Sequence, residues 1–362
     1  MDFDLSDDQV ALRDGARELL DGFASAAHVR RFTEGDAFLD EALWTAMLDQ
    51  GWLGVAFDEA DGGLDLGVVE LAVLVEELGR HCAPVPYLPS VLVARAARRA
   101  GRRDDVAALL SGATVGTVAW SKELDAVRAD LDGGTWRLTG RPDPVAYAVI
   151  ADFVVVPAHT ADGPALFAVR LDAQQRPARQ SAIDLTRPLS WLDFDGTPAE
   201  HLGGADAVSA LLDDGATLTA AEMLGGARAV LDMTVDYAKD RVQFGRPIGS
   251  FQAVKHRCAD MLVDVEGMHS TAYWAAWALG ADDPDVSVAA STAKCWASDA
   301  SKRVMASALQ VHGGIGFTWE HDLHFFSKRA QLDQRSFGDA TYHRVRLTQL
   351  LRPRVEAGTS VV

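Results

Sequence analysis

Residues 237–261 read YAKDRVQFGRPIGSFQAVKHRCADM, and this stretch is the most informative in the chain. It lies between two Ala-, Leu- and Met-rich patterns that predict long helices. An arginine at a helix end, here Arg241, can donate two parallel hydrogen bonds to a phosphate or pyrophosphate. Phe244 adds a flat apolar surface, and Gly245 permits a tight turn. Taken alone, these five residues fit an ordinary helix C-terminus with a basic residue and a turn glycine better.

A second stretch, Gln310-Val311-His312-Gly313-Gly314-Ile315-Gly316-Phe317, is rich in glycine. Closely spaced glycines let backbone N–H groups approach a phosphate without obstruction from side chains. The alternative is a plain loop that terminates a helix. The stretch is not a dinucleotide fingerprint of the strand–turn–helix type, because a predicted helix and not a strand precedes it.

Outward from these motifs, the chain divides into three zones. Long helical patterns predict a C-terminal four-helix bundle over residues 204–362, with helices at 216–241, 252–279, 286–312 and 340–351. Residues 113–203 alternate short β-branched runs with turn dipeptides such as Asp132-Gly133 and Asp195-Gly196, which predicts a middle antiparallel β domain. The predicted strands cover 114–120, 135–138, 153–156 and 166–171.

Residues 1–112 read as an N-terminal helical domain, which makes the fold class α+β. Ser6 and Gln9 have the spacing of a capping box before the first helix. An apolar pattern at helical spacing ends at Gly79, which could stop that helix. Three prolines then interrupt the pattern before a helix resumes at Val91: Pro84, Pro86 and Pro89.

Composition narrows the classes of function. The net charge of −18 argues against a nucleic-acid or anionic-membrane surface, since either requires a basic footprint. The three cysteines show no CxxC spacing, which fits a reducing compartment; they are Cys82, Cys258 and Cys295. The acidic N-terminus does not read as a signal peptide, so a cytoplasmic location is expected. His312, His321 and His324 lie close in sequence without a convincing zinc spacing, and no metal is expected.

The order of helical, β and helical zones, with RxxFG and a later QxxGGxG, resembles the acyl-CoA dehydrogenase family. The strongest matches are residues 237–261 and QVHGGIGFTWEHDLHFFSKRA at 310–330. The resemblance implies FAD as cofactor, an acyl-CoA substrate, a trans-2-enoyl-CoA product and a flavoprotein as electron acceptor. It also implies that five residues hold the adenine and pyrophosphate end of FAD: Arg241, Phe244, Gln310, Gly313 and Gly314.

Two departures from the family concern the catalytic base. Most members carry a glutamate in a Tyr-Glu-Gly-Thr motif, and Phe337 occupies that position here. A minority place the glutamate on the helix before RxxFG, where this chain has Gly215, preceded by Asp213 and Asp214 and followed by Glu222. Asp339 is a weak candidate for the base, with a helix N-terminal acid as the alternative.

A further departure concerns the flavin ring. The two family stretches that cradle it have become residues 118–123 and 143–148 here. The combination resembles the shorter subunit of heteromeric (αβ) acyl-CoA dehydrogenases, including those that act on steroid-CoA side chains. The expected partner is a longer subunit in a heterotetramer, with a homo-oligomer as the alternative. Two other interpretations stay open: a catalytically silent partner subunit, or a flavoenzyme acting on carrier-bound acyl groups.

Overall fold

A computed structural model of the protein describes residues 4–359. The N-terminal zone is helical, as predicted. Its helices are α1 Asp7–Phe23, α2 Ala26–Glu34, α3 Glu41–Asp49, α4 Val68–Arg80, α5 Tyr87–Arg99 and α6 Arg103–Leu110. The capping box is confirmed: Ser6 Oγ accepts from the Gln9 N–H at 3.3 Å, and the Ser6 N–H donates to Gln9 Oε1 at 3.0 Å.

The proline-rich segment differs from the prediction. Helix α5 begins at Tyr87 instead of Val91, and Pro89 lies in its first turn. Proline is tolerated there because the first N–H groups of a helix have no acceptor within the helix. Tyr87 is buried, and its hydroxyl donates to the carbonyl oxygen of Trp52 at 2.9 Å.

The middle zone forms a β-barrel. The strands of this zone are β1 Gly116–Val118, β2 Val127–Asp132, β3 Thr135–Gly140, β4 Val145–Ala146, β5 Phe153–Thr160, β6 Gly163–Arg170, β7 Leu189–Ser190 and β8 Phe194–Gly203. The sheet order is β1-β5-β2-β3-β8-β6, and the additional pairing of β5 with β6 closes it. Strands β4 and β7 pair with each other in a separate two-stranded sheet. Pairing is antiparallel apart from β1–β5 and β2–β5. Leu138, Val154 and Phe167 are fully buried in the barrel core.

Four strands and one turn differ from the sequence-based expectation. Strands β2 and β8 were not predicted, since Asp and Gly dilute their β-branched character, and the two-residue strands β4 and β7 were not predicted either. Asp132-Gly133 does lie in a turn, between β2 and β3. Asp195-Gly196 does not: Thr139 pairs with Asp195 and Leu138 with Thr197, so Gly196 is the extra residue of a β-bulge at φ 63°.

The C-terminal zone is helical again. It contains α7 Ala205–Asp240, a hairpin of β9 Val242–Gln243 and β10 Arg246–Pro247, then α8 Gln252–Gly280, α9 Val286–His312, α10 Leu323–Asp333 and α11 Ala340–Glu356. Helix α9 packs against α8, α10 and α11. The fold class is confirmed, with one helix, α10, beyond the four predicted. No helix within residues 4–359 is long and apolar enough to cross a membrane.

The described chain forms two compact units. One contains residues 4–29, 71–83 and 216–359, and the other contains residues 30–70 and 84–215. Both α4 and α7 therefore contribute residues to each unit. The division into three domains at residues 112 and 203 stays a prediction.

In the first unit, α4 and α7 cross with their backbones in contact. A Cβ atom on Gly79 would lie 2.0 Å from the carbonyl oxygen of Glu222, and one on Gly225 would lie 1.8 Å from that of Glu76. Glycine is required at both positions because any side chain would collide with the opposite backbone. The prediction that Gly79 stops the helix was wrong, since α4 continues to Arg80.

Charged side chains beside this crossing join four helices. Glu76 is buried, accepts a hydrogen bond from the Tyr273 hydroxyl of α8 at 2.8 Å and forms an ion pair with Arg228 Nε of α7 at 2.9 Å. Glu77 accepts two hydrogen bonds from Arg17 of α1, at 2.6 and 3.0 Å. Burial raises the pKa of Glu76, against the opposing effects of Arg228 and Tyr273. These ion pairs therefore lie beside the crossing where Gly79 and Gly225 let the backbones of α4 and α7 come into contact.

Substituting Gly225→Ala tests this crossing. The new methyl group would collide with backbone atoms that cannot rotate away, so we expect the free energy of unfolding to fall by about 3 kcal/mol or more. Urea denaturation measures the loss. Gly15→Ala is the matched control, because Gly15 lies on the exposed side of α1 with no atom within 4 Å of its new Cβ. It should leave stability unchanged or raise it by up to ~1 kcal/mol. Equal stability of the two variants would contradict the role assigned to Gly225.

Candidate functional site

The RxxFG motif is a two-residue β-hairpin at the end of α7. Gln243 pairs with Arg246, and the residues between them, Phe244 and Gly245, have φ of 53° and 77°. Positive φ at both central positions is the signature of a type I′ turn. Phenylalanine seldom adopts this conformation, and such strain is concentrated at functional sites. The Phe244 side chain is 92% exposed, so packing within this chain does not explain it.

Two arginines at this hairpin, Arg241 and Arg246, have no acidic partner within residues 4–359. Neither Arg241 nor Arg246 forms an ion pair with any part of the chain that the structure describes, although the protein carries a net charge of −18. The Arg246 guanidinium lies over the Phe251 ring, 4.2 Å from its centroid. Both guanidinium groups are therefore available to an external anion.

The glycine-rich stretch follows α9 as a single 3₁₀ turn, Gly313–Phe317. Gly313 has φ 63°, which favours glycine. Gly314 has no such backbone requirement, and a Cβ atom on it would meet nothing within 4 Å. Its missing side chain therefore has no internal explanation, whereas a ligand lying on the backbone would supply one. Gln310 and Gly314 are exposed.

These two motifs lie together in the first unit. Tyr237, one turn before Arg241, donates from its hydroxyl to the carbonyl oxygen of His312 at 3.4 Å. His312 and His321 are in ring contact at 4.5 Å. No group of three or more potential metal ligands occurs between residues 4 and 359.

A buried lysine, which sequence reasoning missed, holds the connection between α10 and α11. Lys294 of α9 is fully buried, and its Nζ donates to the carbonyl oxygens of Gln334 at 3.2 Å and Gly338 at 2.8 Å. His343 of α11 donates from Nε2 to the carbonyl oxygen of Phe337 at 2.8 Å. Phe337 and Gly338 have φ of 55° and 91°. Three carbonyl groups thus fix a connection that contains two left-handed residues.

The carboxylates near Gly215 already have basic partners. Asp214 is fully buried and bonds to Arg95 at 3.0 Å and to Arg99. Burial acts to raise the pKa of Asp214, but the two arginines outweigh it and hold the pKa below its usual value. Within the first unit, Glu222 pairs with Arg329 at 2.9 Å.

Comparison with known proteins places these motifs in a family. Residues 6–116 match the N-terminal domain of acyl-CoA dehydrogenases, and residues 203–349 match the C-terminal domain. The chain belongs to the acyl-CoA dehydrogenase family. It is 33% identical to the acyl-CoA dehydrogenase FadE27 of Mycobacterium tuberculosis, covering 94% of this chain and 96% of FadE27. It is 34% identical to IpdE2 of Mycolicibacterium smegmatis, covering 90% and 93% of the two chains.

Solved structures agree with this assignment. The chain superposes on a chain of the ChsE4–ChsE5 complex from Mycobacterium tuberculosis with a TM-score of 0.90 and 32% identity, covering 97% and 99% of the two chains. For the Tcur3481–Tcur3483 steroid ACAD the TM-score is 0.89 and the identity 32%, covering 96% and 99%. The resemblance inferred from the sequence is therefore confirmed.

The stretch that resembles the acyl-CoA dehydrogenase base motif, residues 336–339, keeps only the glycine of that motif, Gly338. Phe337 is the residue expected at the glutamate position. Two residues later, Asp339 is the N-cap of α11, and its carboxylate accepts from the Tyr342 N–H at 2.8 Å. This is the alternative that the sequence allowed for Asp339, a helix N-terminal acid.

The two stretches expected to correspond to the family's flavin-ring cradle, residues 118–123 and 143–148, are hydrogen-bonded to each other in the second unit. Ser121 Oγ accepts from the Asp143 N–H at 2.7 Å, and Asp143 Oδ2 accepts from the Lys122 N–H at 3.2 Å. Thr117 Oγ1 donates to the carbonyl oxygen of Ala146 at 2.5 Å. Several of their polar groups are thus engaged within the chain.

His343 should make the stability of this protein sensitive to acid. Burial and then the nearby Lys294 ammonium lower the pKa of His343 to about 3, while the unfolded chain binds the same proton near pH ~6.5. As the pH falls from ~6.5 to ~3, the unfolded state takes up a proton that the folded state does not, and stability falls. His343→Gln keeps a donor for Phe337 without titrating.

Urea denaturation at about pH 7.5 and about pH 5 tests this expectation. Titrating groups distant from position 343 affect both proteins alike, while the adjacent Lys294, whose pKa burial lowers to about 7, also titrates between these two pH values. The wild type should lose roughly 1–2 kcal/mol more than His343→Gln between the two pH values. Equal losses would show that the imidazole is not held neutral by the fold.

Proposed function

We propose that this chain is the subunit of a heteromeric acyl-CoA dehydrogenase that lacks the glutamate base. The proposal rests on the residues found at the two positions where acyl-CoA dehydrogenases carry the glutamate base. These positions hold Phe337 and Gly215, neither of which can accept a proton. The nearby carboxylates of Asp214, Glu222 and Asp339 are engaged with arginines or with a helix N-terminus.

The residues of the first unit fit the adenosine and pyrophosphate end of FAD. Arg241 offers an unpaired guanidinium to the pyrophosphate, and Phe244 offers an exposed ring to the adenine. Gly313 and Gly314 leave the backbone there uncovered by side chains, and Gln310 lies exposed one helical turn before them. When bound, FAD supplies the acceptor for the two electrons removed from the substrate.

The ring end of FAD is assigned to a companion subunit, a longer acyl-CoA dehydrogenase. The stretches 118–123 and 143–148, which would cradle the ring, depart from the family pattern and bond to each other. The companion also supplies the base that removes the α-proton, since that base must lie within hydrogen-bond reach of the substrate. This chain orients the cofactor and closes one side of its site.

The reaction of the assembly is α,β-desaturation of an acyl-CoA thioester to a trans-2-enoyl-CoA, with electrons passing on to a flavoprotein acceptor. The structural similarity to a steroid ACAD favours a bulky, ring-bearing acyl group. Similarity to a two-protein complex supports a heteromeric assembly.

Purifying this chain alone and together with a companion subunit tests whether the companion supplies the base and the flavin-ring site. The chain expressed alone should be colourless or weakly yellow and should not bleach on anaerobic addition of acyl-CoA thioesters. Co-expression with a longer acyl-CoA dehydrogenase that retains the glutamate should give a yellow complex that bleaches near the flavin maximum. Robust bleaching by a homo-oligomer of this chain would overturn the proposal and make Asp339 the first residue to mutate.

Phe244→Asn separates cofactor binding from stability. Asn-Gly is the favoured pair in a type I′ turn, so the substitution relieves backbone strain and should leave stability unchanged or raise it by up to ~1 kcal/mol. The adenine loses its ring contact, and FAD should dissociate faster from the purified complex. Flavin fluorescence on dilution measures the release. Leu131→Asn, at an exposed position in β2, is the control and should retain FAD like the wild type. Unchanged release from Phe244→Asn would exclude Phe244 from the FAD site.

A further inference from the structure

An aromatic stack joins the two motifs that hold the dinucleotide. The rings of Tyr237 and His312 lie nearly parallel, with an interplanar angle of 21° and centroids 4.5 Å apart. Tyr237 belongs to the last turn of α7, and His312 is the last residue of α9. The Tyr237 hydroxyl adds a hydrogen bond to the His312 carbonyl oxygen. The contact between Tyr237 and His312 therefore joins the C-terminal ends of α7 and α9.

The histidine of this stack is fixed in orientation. His312 is 3% exposed, and its Nδ1 donates to the carbonyl oxygen of Ala308 at 2.9 Å. The edge of His321 packs against the same ring, with centroids 4.5 Å apart and an angle of 67°. Burial lowers the pKa of His312, so the ring is neutral near pH 7. Its rotation is restricted by these contacts, and it can act as a rigid surface for Tyr237.

Both motifs begin immediately beyond the stack. The Arg241 N–H donates to the Tyr237 carbonyl oxygen at 2.9 Å, so the hairpin starts one turn after the tyrosine. Gly313 follows His312 directly, and its N–H donates to the carbonyl oxygen of Leu309. A Cβ atom on Gly316 would lie 3.0 Å from His312 Cβ, so the glycine turn folds closely against the histidine. A shift of either ring would change the separation of the two motifs.

We propose that the Tyr237–His312 stack is a positioning element. It sets the spacing between the hairpin that follows Arg241 and the glycine turn Gly313–Phe317, so that both can bind the FAD pyrophosphate. The inference rests on the proposed function, because it assumes that the dinucleotide lies between these motifs. Neither ring needs to contact FAD. The stack acts through Arg241 and the glycine turn Gly313–Phe317, which must be held at a fixed separation to bind one pyrophosphate from two sides.

The experiment compares variants that keep or remove the ring at one position. Tyr237→Leu removes the stack, while Tyr237→Phe keeps the ring and removes only the hydroxyl. Each variant is co-expressed and purified with the longer acyl-CoA dehydrogenase subunit used above. The dissociation constant of the complex for FAD is then measured by flavin fluorescence. Tyr237→Leu should weaken FAD binding about tenfold, and Tyr237→Phe should stay within about twofold of the wild type. The thermal midpoint without FAD should be similar in both, because Tyr237 is only half-buried.

Two further variants complete the design. His201→Ala breaks a similar stack, that of His201 on Trp136 in the barrel, with centroids 6.0 Å apart, and should leave FAD affinity unchanged. His312→Phe keeps a ring in the buried position, and it should bind FAD far better than His312→Ala. Should Tyr237→Leu not fold, Tyr237→Met provides the same loss of the ring with a flexible apolar side chain.

The outcomes separate this inference from the proposed function. Arg241→Ala should weaken FAD binding if the dinucleotide lies at the hairpin. If Arg241→Ala binds FAD like the wild type, the proposed site is wrong. If Arg241→Ala weakens binding but Tyr237→Leu does not, the site stands and the positioning role of the stack is overturned.

Discussion

The contact of the α4 and α7 backbones is the constraint on which the first unit depends. Because Gly79 and Gly225 have no side chains, the two helices approach until carbonyl groups meet Cα atoms. This approach buries Glu76, which then needs Arg228 and Tyr273 as partners. Buried ion pairs of this kind contribute little net stability but specify one register. The register of α7 in turn determines where its last turn lies, and that turn leads into the hairpin.

The residues proposed for the two ends of FAD differ in their contacts. At the proposed adenosine end, Arg241 and Arg246 have no carboxylate partners within residues 4–359, and Phe244 is exposed in a strained turn. At the proposed ring end, Ser121 and Asp143 bond to each other. Exposed, unpaired groups are suited to an external ligand, whereas groups engaged with each other are not. This contrast supports a cofactor shared between two different chains.

Local pattern predicted the long helices well, since a 3.6-residue period persists over many turns. Helix α9 has the predicted bounds, Val286–His312. Helix α7 begins at Ala205 and not at residue 216, because Asp214 inside it is neutralised by Arg95 and Arg99, more than a hundred residues away. Sequence alone does not contain that pairing.

The candidate site was predictable to a similar degree. Arg241 and the glycines could be proposed from spacing and family resemblance, whereas the positive φ of Phe244 could not. Lys294 gave no signal at all, because its partners are carbonyl groups that every residue possesses.

That property of Lys294 has an evolutionary consequence. The connection that carries Phe337 is held through main-chain oxygens by Lys294 and His343, so these contacts do not involve the side chain at position 337. A lineage can therefore exchange a proton-accepting residue for an inert one there without rebuilding the surrounding backbone. After gene duplication, a copy could change its chemistry at this single position while it keeps the main-chain contacts of the connection.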